Sequence, residues 1–371
     1  MNIIRLVAFA ALIAPAALVT AAEPADSQRG ERIFETESCI QCHRIQGKGG
    51  DAGPDLSKRI DRGFTPATLA SSMWNHAPVM WTAIRANAVR PPDIDEQGAA
   101  DLFAYFYSVR FFENPGDAGR GKRLFTEKHC AECHGITSSN ASGAPAVVAW
   151  KSIGDPVALA DAMWTHGAKM REAYATRKLA WPDLTGQNLT DILVYLRNQP
   201  ETRGLPARFD TASTLDGKEL FAAKGCVACH TGSMDLNARL NGKTLTGIAA
   251  SMWSHAPKMA KAPISLATGE MRAIVVYLWN QQLLNTNGNA GRGKKVFAVK
   301  NCAACHNDPS SGAPSLAAKK GSISAVSMVS ILWRHGPAML ERMQSKGLRW
   351  PRFEGQEMPD LIAYLNAGTE K

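Results

Sequence analysis

"GERIFETESCIQCH", residues 30–43, joins a helix-like run to a Cys-x-x-Cys-His pentapeptide, and the chain carries that join four times. "GKRLFTEKHCAECH" begins at Gly121, "GKELFAAKGCVACH" at Gly217 and "GKKVFAVKNCAACH" at Gly293. In every copy a Phe stands five residues before the first Cys: Phe34, Phe125, Phe221 and Phe297. The first cysteines are 91, 96 and 76 residues apart, too far for a solenoid repeat. The spacing predicts tandem domains over 23–113, 114–205, 206–286 and 287–371, behind a leader at 1–22.

Each unit repeats one order of signals. An amphipathic run leads into the cysteines, a Gly/Pro loop follows, and a second helical pattern carries Trp-x-His. A third pattern closes the unit: "GAADLFAYFYS", "NLTDILVYLRN", "GEMRAIVVYLWN" and "EMPDLIAYLNA". Apolar residues there fall at helical spacing, as with Ile192, Leu193 and Leu196 around Tyr195. Strand signals are nearly absent, so the expected fold is all-α. Linkers rich in Gly, Pro and Asn fall at 111–119, 201–210 and 284–291. With 371 residues and 45% hydrophobic content, each unit has only a small core of its own and needs a staple.

All eight cysteines belong to the pentapeptides: Cys39, Cys42, Cys130, Cys133, Cys226, Cys229, Cys302 and Cys305. A disulfide framework does not require a His after each pair. A thioredoxin-like motif needs a βαβ context. A zinc site needs further ligands, typically a second Cys pair, which no unit contains. Covalent haem c attachment accounts for every feature. The two thiols form thioethers to the vinyl groups, and the following His43, His134, His230 or His306 meets the iron. Four covalently bound haem c groups are expected.

At this point the units resemble small class I type cytochrome c domains. The Gly-x-x-x-Phe helix before Cys-x-x-Cys-His, a Gly-Pro-x-Leu-like loop and an aromatic-Leu closing helix all match. The resemblance covers nearly the whole chain after the leader. It implies an all-α fold in which helices wrap one haem per domain. It also implies that a loop Pro carbonyl steadies the proximal His through its second ring nitrogen. Pro54, Pro145 and Pro314 take that place; unit three reads "TGSMDL" and has no Pro there.

In the family a Met-Pro loop before the last helix usually gives the sixth iron ligand. Here that slot reads "VRPPDI", "LAWPDL", "AKAPIS" and "LRWPRF", without Met. Instead "MWNHAPVM", "MWTHGAKM", "MWSHAPKM" and "LWRHGPAM" each keep a His with a Met four residues later. The sixth ligand is therefore expected from one of each pair: Met80 or His76, Met170 or His166, Met259 or His255, Met339 or His335. Both residue types bind haem iron, and the family's habit favours Met. An apolar stripe, Leu69, Met73, His76 and Met80 in unit one, places both candidates on one helix face. Pro78, Pro257 and Pro337 are expected to kink that helix after the His. Trp74, Trp164, Trp253 and Trp333 read as packing at the haem edge, each indole N–H finding a propionate or a loop. His129 occurs once and reads as a surface residue.

Arg5 followed by an apolar run from Leu6 to Val19, with small Thr20 and Ala22, reads as a secretory signal peptide rather than an anchor. The run is about 14 residues, short of the ~20 of a spanning helix, and no other stretch qualifies. The net charge of +9 is spread among acidic residues, which argues against nucleic-acid binding. The expected function is electron transfer in the periplasm or at the cell surface. The protein would pass electrons from a membrane quinol-oxidising donor to a periplasmic or outer-surface acceptor, with weak docking. The alternative is a haem enzyme in which one centre opens to peroxide, nitrite or a sulfur compound. Unit three, with the shortest His230-to-His255 spacing, is the first place to look. A bound subunit of a larger respiratory complex is a third class.

Overall fold

The computed structural model describes residues 23–58, 65–109, 116–141, 143–205, 209, 211, 213–240, 242–259, 264–284, 288–316 and 323–367. The expected leader at 1–22 lies outside them. As expected, the fold is all-α. Among the described residues, strand is confined to a two-residue hairpin, Arg44–Ile45 against Lys48–Gly49, beside one isolated bridge.

Unit one holds α1 (Ser27–Thr36), α2 (Pro66–Ala86) and α3 (Glu96–Val109). Unit two holds α4 (Ala118–Glu127), α5 (Pro156–Thr165), α6 (Gly167–Thr176) and α7 (Gly186–Arg197). Unit three holds α8 (Gly217–Ala223), α9 (Leu236–Leu240), α10 (Leu245–Met259) and α11 (Glu270–Leu284). Unit four holds α12 (Ala290–Val299), α13 (Ala303–His306), α14 (Ala325–Ser345) and α15 (Glu357–Ala367).

In each unit the first helix crosses the last, and the recurrent Gly is the crossing point. A Cβ added to Gly30, Gly121 or Gly217 would sit 2.0 Å from the carbonyl oxygen of Asp101, Asp191 or Ala273. At Gly293 the distance to Asp360 O is 1.9 Å. Only a residue without a side chain lets the backbones approach so closely. One turn later the recurrent Phe meets the Tyr of the last helix. The Phe34–Tyr105, Phe125–Tyr195, Phe221–Tyr277 and Phe297–Tyr364 centroids lie 5.8, 5.9, 5.9 and 5.3 Å apart.

In units one, two and four an ion pair locks the crossing. Arg29, Arg120 and Arg292 reach Asp101, Asp191 and Asp360 at 2.8, 2.8 and 2.6 Å. The same carboxylates accept the backbone N–H of the cap residues Asp26, Asp117 and Asn289. Unit three has neither partner. Its cap, Asp216, stands directly before Gly217, so the turn that would carry the Arg is missing, and Ala273 replaces the Asp. Arg272, the neighbour of Ala273, instead pairs with the buried Asp155 of unit two at 2.7 Å.

The units dock out of chain order. Helix α14 of unit four packs on α2 and α3 of unit one, and α10 of unit three packs on α5 and α7 of unit two. Units one and three then meet through Phe103 stacked on Trp279 (5.4 Å) and through Tyr107, whose hydroxyl accepts the Leu245 N–H at 3.0 Å. Helix α3 is accordingly buried on nearly every side, which explains why its apolar residues run all round it.

Candidate haem centres

The residue before each first cysteine lies in the left-handed region: Ser38 (φ 66°), His129 (φ 61°), Gly225 (φ 77°) and Asn301 (φ 64°). Small or short polar residues and His tolerate that conformation best. It ends the first helix and starts the tight turn that holds the two thiols. His129 is at the surface, its Nδ1 2.6 Å from Glu132 Oε1.

Each turn presents its first thiol inward. Burial pushes Cys39 and Cys130 up to about 12 and Cys302 to about 11, and it raises Cys226. A redox dithiol needs the opposite, a thiolate favoured at neutral pH. All eight cysteines are unpaired with one another. Among the described residues no three His, Cys, Asp or Glu side chains gather as a zinc site would require.

The His after the second cysteine is anchored through Nδ1 on a loop carbonyl. His43 bonds Pro54 O at 3.1 Å, His134 bonds Pro145 O at 2.9 Å and His306 bonds Pro314 O at 2.9 Å. In unit three, which lacks the Pro, the carbonyl of Met234 takes the place at 3.4 Å from His230 Nδ1. A carbonyl only accepts, so Nδ1 carries the proton and Nε2 keeps its lone pair for a metal.

The helix opposite carries the His/Met pair. Proline does not end it: α2 runs through Pro78, α10 through Pro257 and α14 through Pro337. The interruption falls in unit two, which has Gly167 and Ala168 instead, and His166 joins α5 to α6 at φ −117°, ψ 16°. In that unit the His134 and His166 rings meet edge-on, centroids 6.4 Å apart and planes at 64°. Burial, and then His134, hold His166 below the usual imidazole value; burial, then His230, do the same for His255. Met80, Met170 and Met339 are half-buried against the apolar core.

The tryptophans do more than line a haem edge. Trp74 donates its indole N–H to Pro351 O at 2.9 Å, and Trp350 donates back to Trp74 O at 2.9 Å. Units three and two repeat the exchange: Trp253 donates to Pro182 O at 3.0 Å and Trp181 to Trp253 O at 3.2 Å. Trp164 reaches Ile264 O at 3.1 Å. Thus three of the four recurrent indoles bond a loop, as expected, but that loop belongs to another unit. It is the segment that occupies the family's Met-Pro slot. Trp333 Nε1 is buried with no partner among the described residues.

These residues fit haem c. A thiol pair with its first member turned inward, an imidazole whose Nε2 keeps its lone pair, a neighbouring imidazole in unit two and an orphaned indole donor suited to a propionate supply its recognised needs. The fold and the sites define a c-type cytochrome. The Cytochrome c family model matches residues 27–110, 118–200 and 290–369, well over half of the chain, and the chain belongs to that family. The matched regions make it a multi-domain protein that binds haem c covalently. Unit three falls outside the matches, although its helix crossing repeats theirs.

A stretch of 100 residues is 29% identical to cytochrome c oxidase subunit 2 of Alkalihalophilus pseudofirmus. It covers 24% of this chain and 28% of that relative. No solved structure matches.

Proposed function

We propose that the chain is an exported tetrahaem cytochrome that carries electrons between redox partners. The observation that carries this reading is the fourfold recurrence of one frame: the Gly crossing, the Phe/Tyr contact, the Cys-x-x-Cys-His turn and the Nδ1-anchored His. Unit three keeps all of these, which supports a fourth domain and a fourth haem there. Cys39 with Cys42, Cys130 with Cys133, Cys226 with Cys229 and Cys302 with Cys305 would hold the groups. His43, His134, His230 and His306 would bind the irons. Each haem supplies reversible one-electron iron chemistry when bound.

The docking of units favours two haem pairs, one with four and two with three, rather than a row in chain order. The helices bearing His76 and His335 pack directly on each other, as do α5, which ends at the residue before His166, and α10, which bears His255. Electrons would then enter and leave through pairs. The donor proposed is a membrane quinol-oxidising protein and the acceptor a periplasmic or outer-surface one. The likeness to an oxidase subunit supports a place among respiratory partners. No described helix is long and apolar enough to cross a membrane.

A spectroelectrochemical titration tests the reading. Reversible uptake of four electrons per chain, with no carbon monoxide binding to the reduced protein, is expected. Irreversible reduction or high-spin iron in most centres would overturn it. Unit three, with its longer His230 contact, supports a second reading as a haem that opens to a small substrate; carbon monoxide binding at a single centre is its signature.

A further inference from the structure

Each unit offers its sixth ligand from a His and a Met four residues on, and the geometry separates them. We infer that it is the histidine in every unit, His76, His166, His255 and His335, and that Met80, Met170, Met259 and Met339 are packing residues. This rests on the tetrahaem reading and refines it.

Unit two gives the distance. A metal bound by two imidazoles has about 2.0–2.1 Å to each nitrogen and roughly 1.1 Å more to each ring centre, so the centres lie about 6.3 Å apart. His134 and His166 stand at 6.4 Å. Axial rings share the metal–nitrogen axis, so their planes take any angle about it, 64° included. That separation matches two imidazoles on one metal ion.

The second ring nitrogen gives the same answer. His76 Nδ1 donates to Ser72 O at 2.7 Å, four residues back. Metal-bound histidines almost always donate their other N–H to a carbonyl or carboxylate. The distal ring of unit one therefore has the tautomer of the proximal His43, with Nε2 free.

The methionine side chains have apolar neighbours of their own. Met80, Met170 and Met339 pack against the apolar core, and Met259 lines a cleft with Trp164, Trp181 and Trp253. Such a methionine is a flexible filler that leucine replaces at little cost. His76, His255 and His335 are exposed on the described surface of each helix, not absorbed into the core.

The test reads the oxidised protein by near-infrared magnetic circular dichroism and electron paramagnetic resonance, after an iron-to-protein ratio has counted the haems. A ratio below four bears on the tetrahaem reading and not on the ligand, which is read from each haem present. The wild-type protein should show bis-histidine signatures only, without the far-red absorption of a sulfur-to-iron bond. Met170→Leu should leave both spectra unchanged. His166→Met should convert one quarter of the low-spin signal to another form. A His/Met signature in the wild type, or its loss in Met170→Leu, would overturn the inference; the wild-type spectrum decides even where a variant misfolds.

Discussion

Trp350 donates its indole N–H to the carbonyl of Trp74, and that carbonyl is free because Pro78, four residues on, has no N–H to give it. Proline inside a helix normally leaves such an oxygen unsatisfied. Here the opened site receives a distant unit. Pro257 frees Trp253 O for Trp181 in the same way. Pro78 and Pro257 thus serve as docking devices.

Removal of the indole should expose that dependence. Trp350→Phe leaves a buried acceptor unpaired and should destabilise the protein by about 1–3 kcal/mol. Pro78→Ala restores an N–H to the helix, so the double variant should recover part of the loss. Urea midpoints of the two single variants and the double variant form the cycle that measures this coupling. Strict additivity would show that the proline does not serve the contact.

Gly121→Ala should be far worse than its size suggests. The new Cβ would lie 2.0 Å from Asp191 O, a backbone atom that cannot swing aside. Overpacking of this kind costs about 1–3 kcal/mol or more. Gly204→Ala, with nothing within 4 Å of the added carbon, is the matched control and should leave the urea midpoint in place.

Arg272 should matter to unit two although it lies in unit three. Burial pushes the Asp155 carboxyl up, opposed by the Arg272 guanidinium beside it. Arg272→Ala strands a buried carboxylate, and breaking such a pair costs about 3 kcal/mol. Adding Asp155→Asn should restore most of the stability, because the stranded charge is then gone. Thermal unfolding of the single and double variants checks both steps.

Acid should loosen the helix crossings. The Arg292 guanidinium holds Asp360 below the usual carboxylate range against the opposing push of burial. Burial alone would raise Asp191, but Arg120 and the Asp117 N–H overrule it and hold it low. A lowered carboxyl stabilises the fold fully above its unfolded value of about 4, and the benefit is lost as pH falls through the lower folded value. Asp360→Asn should therefore flatten the fall in stability between roughly pH 5 and pH 2. An unchanged acid limb would assign that fall to other groups.

The helical frame was legible because it is local. The Gly-to-Phe spacing, the Cys-x-x-Cys-His turn and the closing aromatic are all read within one unit, and four copies reinforce one another. The partner of each unit was not legible. Trp74 and Pro351 are 277 residues apart, and periodicity says nothing about which unit meets which. A signal did exist: Trp-Pro stands in the emptied Met-Pro slot of units two and four alone, at Trp181-Pro182 and Trp350-Pro351. The choice between His and Met was hidden for a different reason. Residues four apart share a helix face, so spacing alone cannot tell which one meets the metal.

Unit three, outside the family matches, should hold a haem as the other three do. Intact-mass spectrometry of the purified full chain tests it most directly. Four covalently added haem masses are predicted, falling to three in a Cys226→Ser, Cys229→Ser variant. Three haems in the unaltered protein, with free thiols at Cys226 and Cys229, would contradict it.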